Sequence, residues 1–278
     1  MNWYADLGLL AVPAPDALLA AALARDPAGP LLTYYDDATG ERTELSAVSV
    51  ANWVAKTANL LRDDVGTAPG DRVAVLLPAH WQTAAVLLGA WTTAAVVGTE
   101  PAGAAVAFGT GPVAGADEVF ALSLAPLGRG FAGAPPAGTR DYSVEVLTQG
   151  DRWSGRPVPD AVPALDNGVT AGDLVEVALR RATELGLLAG DRVLSTAPWT
   201  GPTSWVDGLL APLAAGASLV LVANPDPGPG PRHGPADRQR AGRHGHPELP
   251  GVRVPGHDRE GHRLKGAGSR PARCRGWR

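Results

Sequence analysis

Few side chains in this sequence stand where chemistry could be done. His80 is the one histidine in residues 1–224, so it is the sole imidazole base for a serine nucleophile there, and no G-x-S-x-G elbow accompanies it. A histidine beside Trp81, part-buried or at the surface, is the plainer reading. Gly109-Thr110-Gly111-Pro112-Val113-Ala114 follows an expected strand and superficially fits a dinucleotide-binding turn. Pro112 and Gly115 spoil the helix that should follow, and Arg129 stands near where an acidic ribose ligand belongs. Trp199, Thr200 and Trp205 flank an expected strand-to-helix turn, the place where parallel sheets present ligands. They are the candidate lining of an apolar pocket, with core packing as the alternative for the indoles.

Catalytic residues are not identified, and no metal site is expected in the body of the chain. Cys274 is the only cysteine, which excludes an internal disulfide framework and any multi-cysteine zinc site. His233, His244, His246, His257 and His262 sit in glycine-rich sequence that would not pre-orient metal ligands.

The elements that must position these residues follow a repeated grammar. Asp16 can cap a helix over 17–25, and Leu31–Tyr35 with Arg42–Leu45 reads as a hairpin. A helix from Ser49 keeps Val50, Trp53, Val54, Leu60 and Leu61 on one face and ends near Gly66. Then come a strand from Val73 to Leu77, Pro78, a helix over 81–91 and a strand over 94–97, the pattern of a parallel sheet with a crossover helix. Gly190-Asp191-Arg192-Val193 repeats Gly70-Asp71-Arg72-Val73. Around it recur the helix from Thr170, the strand Val193–Thr196, Pro198, a helix around Ser204–Leu210 and the strand Leu219–Val222. The expected fold class is α/β, with two pseudo-repeated lobes and mostly parallel sheet. The expected divisions are a first lobe over 1–125, a Gly/Pro-rich linker over 126–168 holding one short helix, Tyr142–Leu147, and a second lobe over 169–224.

Composition agrees with a globular chain: 278 residues, 45% hydrophobic and 19% charged, with a formal charge of −4. There is no isoleucine, and Lys56 and Lys265 are the only lysines, a bias that a very GC-rich genome explains. Charge is absent from Val73 to Thr99, but Pro78, His80, Gln82, Thr83, Thr92 and Thr93 interrupt the run, which predicts buried strands and a helix rather than a membrane span. With one cysteine and no basic start, the expectation is a cytoplasmic protein. Residues 225–278 differ in kind, with 12 basic against 5 acidic side chains, where 1–224 carry 12 against 23. A disordered basic tail is expected there. It reads either as an arm for nucleic acid or an acidic partner, or as an out-of-frame translation of GC-rich DNA, which is the preferred reading.

Thr33–Leu45, Gly70-Asp71-Arg72-Val73-Ala74-Val75-Leu76-Leu77-Pro78 and Leu87–Val97 together resemble the N-terminal part of the adenylate-forming (AMP-binding) acyl-CoA synthetases and ligases. So do Gly190–Leu194, Pro198, Gly208–Leu213 and Gly216-Ala217, and the chain looks most like short relatives of those enzymes in high-GC bacteria. The resemblance implies a Ser/Thr/Gly-rich phosphate loop ending in lysine just before the helix at Thr170. Pro163-Ala164-Leu165-Asp166-Asn167-Gly168-Val169 stands there instead, and Thr170 with Asp173 reads as a helix cap. Asp166, Asn167, Gly168 and Thr170 thus mark a degenerate phosphate-loop position. At about 4 Å, Asp166 would repel a phosphate by roughly 1–4 kcal/mol. Ala79, Thr200 and Gly201 replace the family's asparagine, aromatic and histidine, and its adenine, ribose and hinge motifs and catalytic lysine are missing.

The resemblance therefore implies a degenerate or truncated relative that is not catalytic by itself, with no ATP or AMP cofactor. The alternatives are a protein-interaction module, docking a synthetase or other protein, and a residual acyl or nucleotide binder. No membrane partner is expected, and nucleic acid only through a genuine basic tail.

Overall fold

In the computed structural model of the chain, residues 14–225 and the strand Cys274–Trp277 are described. Helix α1 (Pro15–Arg25) is the first described element. Its cap position is Ala14, with Asp16 in the first turn rather than capping. The hairpin follows as β1 (Pro30–Asp36) and β2 (Glu41–Ser46), paired antiparallel. Helix α2 (Ala47–Asn59) is capped by the Ser46 hydroxyl and runs on as a wider π-turn over Leu60–Val65. Gly66 ends it at φ +84°, a left-handed conformation that glycine adopts without a Cβ penalty.

The central unit comprises β3 (Arg72–Val75), α3 (Trp81–Thr92) and β4 (Val96–Gly98). Every residue of α3 is buried, which explains why its sequence has no polar face and no charge. Among the described residues no helix is long and apolar enough to cross a membrane. The next elements are β5 (Val106–Gly109), β6 (Glu118–Ala121), β7 (Arg140–Asp141) and α4 (Tyr142–Val146). Helix α5 (Ala171–Glu184) leads into β8 (Arg192–Ser195). A helical stretch follows as α6 (Pro202–Trp205), a π-turn over Val206–Leu210 and α7 (Ala211–Ala214). Strands β9 (Ser218–Ala223) and β10 (Cys274–Trp277) complete the described elements.

Two five-stranded sheets result, in the orders β10-β8-β9-β1-β2 and β4-β3-β5-β6-β7. All pairings are parallel except β1 with β2. The mixed α/β class with mostly parallel sheet is therefore observed, but the contiguous divisions need correction. The hairpin sits beside β9 in the sheet that holds β8, because Leu32–Asp36 pairs with Leu219–Ala223. Residues 126–168 hold the expected short helix, as α4, and they also supply β7 to the second sheet, while Leu165 bridges to Val97 in β4. Polar side chains bind this segment down: Lys56 reaches the Gln149 carbonyl (2.6 Å) and Asp151 (2.8 Å), while Asn59 donates to the carbonyls of Gly150 and Arg152. The expectation of a disordered tail falls on residues outside those described, apart from Cys274–Trp277, which pair as a strand with β8.

The G-D-R-V repeat extends to its hydrogen bonds. Gly70 and Gly190 take φ of +91° and +82°. Asp71 and Asp191 each accept, through the side chain, the N–H three residues earlier, from Ala68 (2.7 Å) and Leu188 (3.0 Å). Their carbonyls accept the N–H of Val96 (2.9 Å) and Ser218 (2.8 Å), the latter two at the starts of β4 and β9. The same turn thus delivers a strand twice, once into each sheet.

Candidate functional site

A cleft of about 310 Å³ lies where the carboxyl ends of strands from both sheets meet. Val75, Leu76, Leu77 and Pro78 line it from the end of β3, Thr99 from just beyond β4, and Trp199 with Thr200 from the turn after β8. Both flanks follow a repeat's strand and lie at its proline, Pro78 in one and Pro198 in the other. Parallel sheets leave crevices for ligands at this end of their strands, because the connections diverge there. The volume is at the small end for a ligand pocket.

Trp199 is only 4% exposed. Its indole edge lies against the backbone of Gly208 in the π-turn after α6, so a Cβ at that position would collide with Nε1 and stand 3.1 Å from Cδ1. Thr200 is exposed, and the turn is fixed by Ser204, whose hydroxyl accepts the N–H groups of Thr200 (2.8 Å) and Gly201 (3.1 Å) and donates to the Gly201 carbonyl (2.7 Å). Trp205 does not line the cleft. It is 1% exposed in the core, because the first turn of the helical stretch directs it inward. Gly208→Ala is expected to cost about 1–3 kcal/mol despite its better helix propensity, because the rigid indole must move. Urea unfolding and Trp199 emission would both shift, and an unchanged midpoint would refute the contact's importance.

Asp166, Asn167, Gly168 and Thr170 lie in a closed turn against β4. The N–H groups of Ala164 and Leu165 both donate to the Val169 carbonyl (2.8 and 3.1 Å), and that of Asp166 donates to Val97 (3.3 Å). Gly168, at φ +87°, donates to Leu165 (3.0 Å), and Val169 donates to the Asn167 side chain (3.2 Å). Ala171 and Gly172 donate to the carbonyls of Val162 and Asp160, each at 2.8 Å. Thr170 and Asp173 form a reciprocal capping box: the hydroxyl accepts the Asp173 N–H (3.2 Å) and the carboxylate accepts the Thr170 N–H (3.4 Å). The Trp91 indole pins the turn by donating to the Ala164 carbonyl (3.1 Å). The amides of Ala164, Leu165, Asp166, Gly168, Val169 and Thr170 are thus committed inside the chain. The exposed Asp166 carboxylate packs over Gly98, next to Thr99 of the cleft, and has no hydrogen-bond or ion-pair partner among the described residues.

The remaining candidates have structural roles. His80 is 1% exposed and caps α3, its Nδ1 accepting the Gln82 N–H (3.1 Å) while the ring meets Tyr34 edge-on at 4.3 Å. Burial holds it neutral, with its pKa lowered to about 3. The Gly109–Ala114 stretch joins β5 to β6 with no helix between them, so it lacks the helix N-terminus a dinucleotide needs. Among the described residues no group of three or more His, Cys, Asp or Glu could hold a metal. Sequence reasoning missed Val75–Pro78 and Thr99 as lining residues. The repeated proline was the available signal, since it places the exits of both repeats at equivalent points.

No family model matches the chain. It is 52% identical over 226 residues to a TIGR03089 family protein of Mycobacterium tuberculosis, a match covering 76% of this chain and 90% of the relative. Among solved structures it is similar to a Brucella canis acyl-CoA synthetase (TM-score 0.59, 20% identity), over 74% of this chain and 42% of the synthetase. It is also similar to the anthranilate CoA ligase AuaEII in complex with anthranoyl-AMP (TM-score 0.60, 14% identity, 77% and 46% covered). A third similar structure is acetoacetyl-CoA synthetase from Streptomyces lividans (TM-score 0.57, 19% identity, 78% and 39% covered). The chain spans less than half the length of each of these proteins, and at these identities the likeness is one of fold. That fold is the N-terminal part of the acyl-CoA synthetases, as the resemblance in the sequence implied.

Proposed function

Because the chain belongs to the TIGR03089 family and has the fold of an acyl-CoA synthetase N-terminal part, we propose that it forms no acyl-adenylate by itself and keeps a small-molecule site in the cleft. The observation that carries this reading is the closed turn at 163–170. A triphosphate is held in water-excluded sites by free backbone N–H groups and a cation, which replace its hydration. Here the N–H groups of Ala164, Leu165, Asp166, Gly168, Val169 and Thr170 already have acceptors within the chain. Opening them costs the turn, and Asp166 contributes a negative charge where a lysine would be required.

The cleft supports the second half of the reading. Its walls combine apolar side chains with polar surface that includes two threonine hydroxyls available for orientation. The purified chain is expected to exchange pyrophosphate into ATP at the background rate with any member of a panel of short, branched and aromatic carboxylic acids. Exchange above background that depends on the acid would refute the proposal.

A further inference from the structure

The cleft's charge pattern bears on its ligand, and the inference rests on the small-molecule reading above. None of the seven lining residues is charged. The carboxylate of Asp166 packs over Gly98, whose neighbour Thr99 is in the wall, and Glu100 follows immediately. Glu100 accepts the Ala102 N–H at 3.0 Å, and the cation on this side, Arg72, is engaged with the carbonyls of Ala102 (2.8 Å) and Glu100 (3.2 Å). Around Asp166 the N–H groups of Ala164, Leu165, Asp166, Gly168, Val169 and Thr170 already have acceptors within the chain. A carboxylate or phosphate entering the cleft would find no cation among its lining residues, only the Thr99 and Thr200 hydroxyls, and would meet like charge at Asp166.

We propose that this cleft takes an apolar amine in its protonated form, with the hydrocarbon part against Leu77 and Trp199 and the ammonium beside Asp166. The carboxylate is exposed and unpartnered among the described residues, so it needs no rearrangement to receive the cation. Because the pair is partly solvated, its contribution is modest, roughly a 1.5- to fivefold gain in affinity at low salt that shrinks as salt rises.

The test is calorimetric titration of the full chain, at low and at high salt, with 3-phenylpropylamine, 3-phenylpropanol and 3-phenylpropanoate, repeated on Asp166→Asn. The amine should bind most tightly, the alcohol roughly 1.5- to fivefold more weakly and the carboxylate more weakly still. Asp166→Asn should bring the amine to the alcohol's level and leave the alcohol unchanged. This substitution keeps the backbone bond to Val97, and an unchanged urea midpoint would confirm that the variant folds. Carboxylate or alcohol binding as tight as the amine, or an amine preference that survives Asp166→Asn, overturns the amine assignment and leaves a small-molecule site standing. Silence with all three probes overturns both.

Discussion

Between pH 7 and pH 4.5 the folded protein is expected to lose about 3 kcal/mol of stability through one side chain, His80. The imidazole is buried against Tyr34 and Trp81, and desolvation lowers its pKa from 6.5 to about 3, with the Asp36 carboxylate opposing weakly. The unfolded chain takes up this proton near pH 6.5, while the folded chain resists until about pH 3. Across that window the unfolded state binds more protons, so stability rises with pH. The full benefit is present above pH 6.5 and is lost progressively as pH falls toward 3. Asp16 and Glu41, whose pKa values burial raises, act in the opposite sense within the carboxylate range. The clean measurement is therefore a comparison. His80→Asn retains an acceptor at the helix cap and removes the titrating group. Urea unfolding from pH 7 to 4.5 should show a slope in the natural protein about 3 kcal/mol larger over the range than in the variant. Equal slopes would refute the assignment.

The second large effect is at Gly89, where α3 crosses α2. A Cβ there would stand 2.6 Å from the Thr57 Cβ, 2.7 Å from its Cγ2 and 3.2 Å from the Val54 carbonyl oxygen. Helix propensity alone favours alanine by about 1 kcal/mol. Against it, the helices must separate to clear backbone and a β-branched side chain, and overpacking of this kind costs about 1–3 kcal/mol or more. Thr57 cannot simply rotate away, because its hydroxyl bonds the Trp53 carbonyl (2.8 Å) and the buried Tyr142 hydroxyl (2.7 Å). Gly89→Ala is expected to destabilise by about 2 kcal/mol, read as a lower urea midpoint with little change in slope. A raised midpoint would mean that propensity dominates and that the helices have room.

Much of the architecture was legible because its signals are local. The G-D-R-V turns require glycine at positive φ, Thr170 and Asp173 stand at capping-box spacing, and the uncharged run over α3, interrupted by Gln82, Thr83 and Thr92, reads as a buried helix. What escaped was decided at a distance. β6 and β7 span four and two residues, too few for alternation to register. Nothing within Leu31–Leu45 states that the hairpin pairs with Leu219–Ala223, since a buried parallel strand reads the same whichever partner it has. At the site, Trp199 and Thr200 were marked by their place after a strand, whereas Trp205 depended on the rotation of a helix whose π-turn no periodicity announces. Asp166 was read for the phosphate it would repel. Its position beside Thr99 came only from the Val97–Leu165 bridge.

The sheet that joins β1 to β9 also constrains how the protein is made. Leu32 must wait for Leu219 to emerge from the ribosome before its parallel partner exists. Until then the nascent hairpin carries an apolar, unpaired edge, the type of surface that holdase chaperones bind and that aggregates when left open. Everything between β1 and β9 must be synthesised before that sheet can close, so any pause or premature stop ahead of Ser218 leaves a chain whose first strands have nowhere to dock.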